Sequence, residues 1–463
     1  MKQRHAGTDG CSVLLSALAA LALAVPTAQA KLPLRQCVVL AVPARCGTLS
    51  VPEDRAQPAG RTIGLRVVVI PSRIKPARTD AFTYLAGGPG GAAASEMPSA
   101  ALSIWGRIHE RHDIVLVDQR GTGGSNALQC PAPTGPIDTD AERKSYVDSC
   151  LAALKSDPVQ YGTRAAMDDL DAVRAALGYR TLDVYGTSYG ATAAQVYLER
   201  HPGSVRTMIL DSGTFLDVPF FSRYAENGQH ALDQIVKRCS AQPSCFRTFP
   251  HWRDDLDSLI ANWNTEPVLL PTSDRITGNG LAGVVQQMTL VSAAAAYIPL
   301  VVSRAALGDY GPLAHYVVPP GLTRSLMYWS IMCNEPWVGL DSTGPWHSYL
   351  DGLTTDQLTL SRAVCGYLPL RAEASSDWVR PQSRVPLLAL VGGADPQDPI
   401  GNLPGLRQAL PNSRVVTVPG QGHGVGQYGC LGELVGRFVD RGTAKGLDTG
   451  CAGKTPLPPL ATR

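Results

Sequence analysis

The pentapeptide Gly186-Thr187-Ser188-Tyr189-Gly190 constrains this chain more than any other stretch. It sits between an apolar run at 181–185 and a helical run at 191–200 that stops at Pro202. A strand that passes directly into a helix through Gly-x-Ser-x-Gly needs a sharp bend with the serine at its apex. The flanking glycines remove side chains that would strike the neighbouring strand and helix. Such a bend holds the serine in a strained backbone conformation. The plainer alternative, a glycine-rich connection with a coincidental serine, explains neither the strand before it nor the helix after it. Ser188 is therefore the expected nucleophile.

Around this bend the chain reads as a sheet covered by helices. Runs at 48–51 and 63–70, joined by Pro58-Ala59-Gly60, predict an antiparallel hairpin opening the sheet. Short β-branched or apolar runs at 81–85, 113–117, 182–185, 207–210, 386–391 and 414–418 mostly end in Gly, Asp or Pro and predict buried parallel strands. Met167, Leu170, Val173 and Leu177 recur at helical spacing up to Gly178, a C-terminal cap, which predicts a crossover helix. This alternation predicts an α/β fold with a mostly parallel sheet, whose reactive groups gather at the carboxyl ends of its strands. Between 216 and 375 the strand pattern lapses. Helices at 223–239 and 325–333, separated by Pro, Gly and Trp, predict an inserted helical cap, or lid. The expected division is 1–30 signal peptide, 31–215 first part of the core, 216–375 cap and 376–463 second part of the core.

A serine hydroxyl attacks at neutral pH only if an imidazole takes its proton and a carboxylate fixes that imidazole. His423, in Gly420-Gln421-Gly422-His423-Gly424 after the last expected strand, is the expected base. Asp395, in Gly392-Gly393-Ala394-Asp395-Pro396, is the expected acid, with Asp398 as runner-up; turn formation is the alternative role of either. The order Ser, Asp, His suits a strand-borne elbow. Two backbone amides are expected to stabilise an oxyanion: that of Tyr189, and that of Gly88 in the turn Gly87-Gly88-Pro89-Gly90-Gly91. This turn lacks the Lys-Ser/Thr ending and the spacing of a phosphate-binding loop, so no cofactor is expected. Asp118-Gln119-Arg120-Gly121 is expected to brace the neighbouring oxyanion turn, while the direction of Arg120, which a substrate carboxylate would suit, stays open.

Lys2 and Arg4, the apolar run at 12–25 and Ala28-Gln29-Ala30 have the form of a signal peptide cleaved near Ala30, which predicts a secreted or periplasmic bacterial protein. The run is shorter than the ~20 residues of a membrane span, so no membrane association is expected after cleavage. Of the 11 cysteines, Cys11 precedes that site and ten remain. Their closeness in sequence predicts the pairs Cys37 with Cys46, Cys130 with Cys150, Cys239 with Cys245, Cys333 with Cys365, and Cys430 with Cys451. No Cys-x-x-Cys or paired histidine motif accompanies them, and no metal is expected. Lys and Arg total 41 against 39 for Asp and Glu, which gives no field to attract nucleic acid.

The glycine turn at 87–91, the run Val117-Asp118-Gln119-Arg120-Gly121-Thr122-Gly123-Gly124-Ser125, the elbow and the His423 loop together resemble the prolyl and tripeptidyl aminopeptidase group of α/β-hydrolases, in particular its secreted tripeptidyl aminopeptidase branch. The likeness covers about 81–216 and 385–451, and within the cap only Cys333-Asn334-Glu335; it implies that the second part of the core, 376–463, is a TAP-like C-terminal region. Ala191 and Gln397-Asp398 depart from that branch, which usually has Thr at the first and an apolar residue then Thr at the second. The resemblance implies an α/β-hydrolase fold with an inserted helical cap. It also implies an aminopeptidase acting on peptides with a free amino terminus through a Ser-His-Asp triad. A carboxylesterase using the same triad is the alternative, and a binding protein that has lost the chemistry is a third reading. Glu335 is the expected partner of the substrate ammonium, because burying that charge requires a carboxylate, with Trp329 and Trp337 as walls.

Overall fold

In a computed structural model the described residues are 31–463, apart from 76, 134–136, 138, 273, 318–324, 337–338, 340–341 and 371–372. The signal-peptide segment and Trp337 lie outside the described residues. Among those residues the main sheet comprises β1 Arg35–Val39, β2 Val42–Pro52, β3 Thr62–Ile70, β4 Asp80–Leu85, β5 Ile114–Val117, β6 Thr181–Thr187, β7 Val205–Asp211, β10 Leu387–Gly392 and β11 Ser413–Val418. Their order is β1-β2-β3-β5-β4-β6-β7-β10-β11. The pairings from β1 to β5 are antiparallel and all later ones parallel.

Both faces of this sheet are covered, which explains why its strands read as continuous apolar runs. The two-residue period splits each strand between two cores. Leu65, Val67, Val69, Leu182, Val184, Leu387 and Ala389 face one side, where helices Thr163–Leu177 and Tyr189–Arg200 supply Met167, Leu170, Val173, Val196 and Tyr197. Val68, Ile70, Tyr185, Leu388 and Leu390 face the other, against Trp105, Ile108 and the Leu434, Val435 and Phe438 stripe of helix Leu431–Arg441.

The helical stretch between β7 and β10 leaves the sheet without disturbing it. β10 returns to pair directly with β7, Leu387 opposite Met208 and Leu390 opposite Asp211. The inserted stretch buries its own apolar centre, including Leu232, Ile235, Trp252, Leu256, Leu281, Val285, Ile298 and Val302. Its first long helix is Phe220–Ala241, and Leu326–Asn334 and Asp351–Tyr367 follow later. Disulfides join Cys37 to Cys46, Cys130 to Cys150, Cys239 to Cys245, Cys333 to Cys365 and Cys430 to Cys451.

Two elements differ from the sequence reading. The sheet opens with three antiparallel strands instead of a hairpin, since β1 adds an outer edge. Its Val38 is 69% exposed, so β1 shows no inward apolar alternation to read. The insertion also holds a small ribbon, β8 Val268–Leu269 against β9 Arg275–Ile276, whose two-residue strands are too short to show any period.

At the amino end of the parallel strands lies a buried charge cluster. Arg206 Nε is 3.0 Å from Asp80 Oδ2, and its Nη2 is 2.8 Å from Asp183 Oδ2. His112 Nδ1 lies 3.2 Å from Asp80 Oδ2. Two carboxylates and an imidazole are metal-ligand types, but the guanidinium occupies the same two oxygens. The cluster therefore reads as a charge-paired tie between β4, β6 and β7.

Candidate active site

Ser188 follows β6 with φ 57° and ψ −126°, a left-handed conformation that a residue with a side chain rarely adopts. The flanking glycines are obligatory. A Cβ at Gly186 would lie 2.1 Å from Gly190 O, and one at Gly190 would lie 2.0 Å from Leu85 O. Tyr189 opens the helix Tyr189–Arg200, so its amide belongs to the first turn, where N–H groups lack intrahelical acceptors.

The His423 loop is tied to the elbow through the end of β7. Asp211 O accepts the Ser188 amide at 3.0 Å, and the Asp211 carboxylate accepts the amides of Val425 at 2.8 Å and Gly426 at 2.9 Å. Ser212, also left-handed at φ 56°, accepts the Gly424 amide on its hydroxyl at 2.8 Å, and the same hydroxyl helps to hold the Asp395 carboxyl low. Sequence reasoning missed both residues. Their position at the carboxyl end of a buried parallel strand, Asp211 as its last residue and Ser212 just beyond, is the signal that would have flagged them.

Asp395 is fully buried and lies 3.0 and 3.1 Å through its two oxygens from His423 Nδ1. In the neutral ring this pairing favours the proton on Nδ1 and leaves Nε2 as the acceptor. Burial alone would raise the pKa of Asp395, yet the charge and hydrogen bond of His423 hold it below the usual carboxylate value. His423 itself is pushed up to about 9: burial opposes its charge, but Asp395 and then Asp398 and Asp211 outweigh it. Asp398 Oδ2 lies 3.8 Å from Nδ1, beyond hydrogen-bond reach. Asp395 is thus the carboxylate in direct contact with the ring, and Asp398 stands behind it.

The glycine turn abuts the serine, since a Cβ on Gly87 would lie 3.1 Å from Ser188 Cβ. Gly88 has φ +123°, and the turn closes by Gly91 N donating to Gly87 O at 3.1 Å. Asp118 braces this region by accepting the Ser95 amide at 3.0 Å, its hydroxyl at 2.7 Å and the Gly124 amide at 2.9 Å. Arg120 turns into the core. It is fully buried and forks onto Asp169 at 2.6 and 2.7 Å, with Nη1 donating to the carbonyls of Glu53 and Gln160.

Glu335, at the end of helix Leu326–Asn334, is only 2% exposed and accepts the Thr163 amide at 2.8 Å. Thr163 opens a helix whose N-cap, Gly162, offers no side chain. The Tyr189 phenol closes the same buried group: Gln119 Nε2 donates to it at 2.9 Å, and it lies 2.7 Å from Thr163 Oγ1. Burial first, and the nearby Glu335 charge second, drive the Tyr189 phenol pKa well up. Trp329 is buried beside this segment.

A sheet with one antiparallel end and a parallel remainder, a serine elbow after β6, and an acid and a histidine after β10 and β11 define an α/β-hydrolase fold. The family model for the alpha/beta hydrolase fold matches residues 84–240, and one described as TAP-like protein matches residues 353–451. The chain has the α/β-hydrolase fold, and its carboxyl-terminal region is similar to a TAP-like protein. It is 33% identical over 190 residues to tripeptidyl aminopeptidase of Streptomyces coelicolor, covering 37% of this chain and 35% of that protein. It is 31% identical over 227 residues to serine protease Hip1 of Mycobacterium tuberculosis, covering 44% and 42%. Carboxylesterase B of the same species is 30% identical over 224 residues, covering 44% and 43%. The matched segment spans less than half the length of each of these curated relatives.

Proposed function

We propose that this chain is a secreted or periplasmic serine hydrolase, an aminopeptidase of tripeptidyl or prolyl type that cleaves peptides from a free amino terminus. The observation that carries the reading is the Asp395–His423 pair at 3.0 Å on a loop anchored through Asp211 and Ser212 to the strained Ser188 elbow. In this reading His423 Nε2 takes the Ser188 hydroxyl proton as Oγ adds to the scissile carbonyl. The amides of Gly88 and Tyr189 receive the oxyanion. The imidazolium then passes its proton to the leaving amine, and water, activated by the same ring, hydrolyses the acyl ester. Glu335 binds the substrate ammonium, and the insertion at 216–375 serves as the lid. The five disulfides suit an oxidising compartment. Among the described residues no helix is long and apolar enough to cross a membrane.

The likeness to carboxylesterase B favours a second reading, an esterase with the same triad. Two measurements separate the possibilities. A fluorophosphonate probe labels wild-type protein and not Ser188→Ala; a folded wild type that stays unlabelled refutes a serine hydrolase altogether. Chromogenic amides and esters are then offered with free and with acylated amino termini. Turnover of free-amine peptides supports the aminopeptidase, and turnover of acylated esters alone supports the esterase.

A further inference from the structure

His423 faces two carboxylates, and the second is held by the insertion. Asp398 is 8% exposed, and its amide donates to Asp395 Oδ1 at 3.0 Å. Its Oδ1 accepts the Thr214 hydroxyl, and Thr214 in turn accepts Asn402 Nδ2 at 2.7 Å. Asn402 Oδ1 accepts Arg223 Nε at 3.1 Å and Asn227 Nδ2 at 3.2 Å, both from helix Phe220–Ala241. Asn227 also donates to Gln397 O at 3.0 Å, beside Asp398 itself. Thr214, Asn227 and Asn402 are buried, so this chain is shielded from water's competition.

We propose that Asp398 is a positioning residue, a second carboxylate that holds the Asp395–His423 pair in register and is itself fixed by a hydrogen-bond chain rooted in the first helix of the insertion. The inference rests on the reading of His423 as the general base. The groups facing Asp398 are Asp395, His423, Thr214 and Asn402, and Arg223 joins the chain one residue further out. Asp398 is not the acid of the triad, because Asp395 alone hydrogen-bonds the ring. Its negative charge favours the imidazolium, and burial together with Asp395 pushes its own pKa up to about 6. A base must be neutral to accept the serine proton, so removing the charge moves the acidic limb of the activity profile to lower pH.

The test is the pH dependence of the rate at which a fluorophosphonate labels Ser188, which requires no knowledge of the substrate. Wild type, Asp398→Asn and Asp398→Thr are compared, each checked for a cooperative thermal melt. The Thr variant removes the charge in a smaller side chain and keeps the comparison available should the Asn variant misfold. In the folded variants the acidic limb is expected to move down by about one pH unit. A limb that stays in place or moves up overturns the proposal. Asn227→Ala is expected to slow labelling severalfold in a folded protein, and an unchanged rate removes the insertion from the chain. A wild type that never labels indicts the serine-hydrolase reading instead.

Discussion

Glu335 and Thr163 join the insertion to the core through a 2.8 Å hydrogen bond from the Thr163 amide to the buried carboxylate. The carboxylate therefore caps a helix whose own N-cap residue, Gly162, has no side chain. A group proposed to bind an ammonium is thus held rigid by the protein before any substrate arrives, which suits recognition at low entropic cost.

Two substitutions at Glu335 separate its two roles. Glu335→Gln keeps an oxygen for the Thr163 amide and removes the charge. It is expected to lower kcat/KM on free-amine peptides by ~2–5 kcal/mol, with little effect on an acyl ester and little change in Tm. Glu335→Ala is expected to lose a further ~1 kcal/mol of stability through the lost cap. Equal losses on both substrates with the Gln variant would remove Glu335 from amine recognition.

Replacing Asp395 by Asn leaves the side-chain volume but lets His423 take the wrong tautomer. Turnover is expected to fall by about 10⁴, with the melt intact, on whichever substrate the panel identifies. Asp398→Asn should cost far less. The reverse ranking would transfer the acid role to Asp398.

The wild-type pH profile follows from His423, whose pKa rises from 6.5 to about 9 in the fold. Activity needs the neutral ring, so labelling and turnover are expected to climb as pH rises towards 9. Stability runs the other way. A raised folded pKa means that the ion pair with Asp395 contributes fully below about 6.5 and is lost as pH passes through 9. Melting scans should show Tm falling over that window in wild type and less steeply in His423→Ala. Parallel slopes would show that His423 is not paired as described.

Ser212 anchors the histidine loop to the end of β7 through the Gly424 amide. Ser212→Ala strips the Gly424 amide of its acceptor and removes a hydroxyl that helps to hold the Asp395 carboxyl low. The loss of a buried hydrogen bond, about 1–3 kcal/mol, is expected to appear in kcat as one to two orders of magnitude, with KM nearly unchanged. A matched rise in KM would place Ser212 in binding instead.

What could be read locally was read from the chain itself. The elbow around Ser188 and the helix closed by Gly178 follow from steric rules that act within a few residues, since Gly186 and Gly190 leave no room for side chains. The strands were legible because both faces of the sheet are buried, which makes each one an unbroken apolar run. β1 escaped because it is an exposed edge, where burial writes no pattern.

The sequence alone determined which residue types stand at the ends of which strands, and so that Ser188, Asp395 and His423 follow β6, β10 and β11 in that order. Only the tertiary structure decided their partners. Arg120 turns inward because Asp169, on a distant helix, offers both oxygens to its fork. Glu335 meets Thr163 across 172 residues of chain. Asp395 rather than Asp398 reaches the imidazole by a difference between 3.0 and 3.8 Å. Hydrogen bonds and charges act over a few ångströms of space, and the folding of the sheet and its insertion, not separation along the chain, sets which groups come within that range.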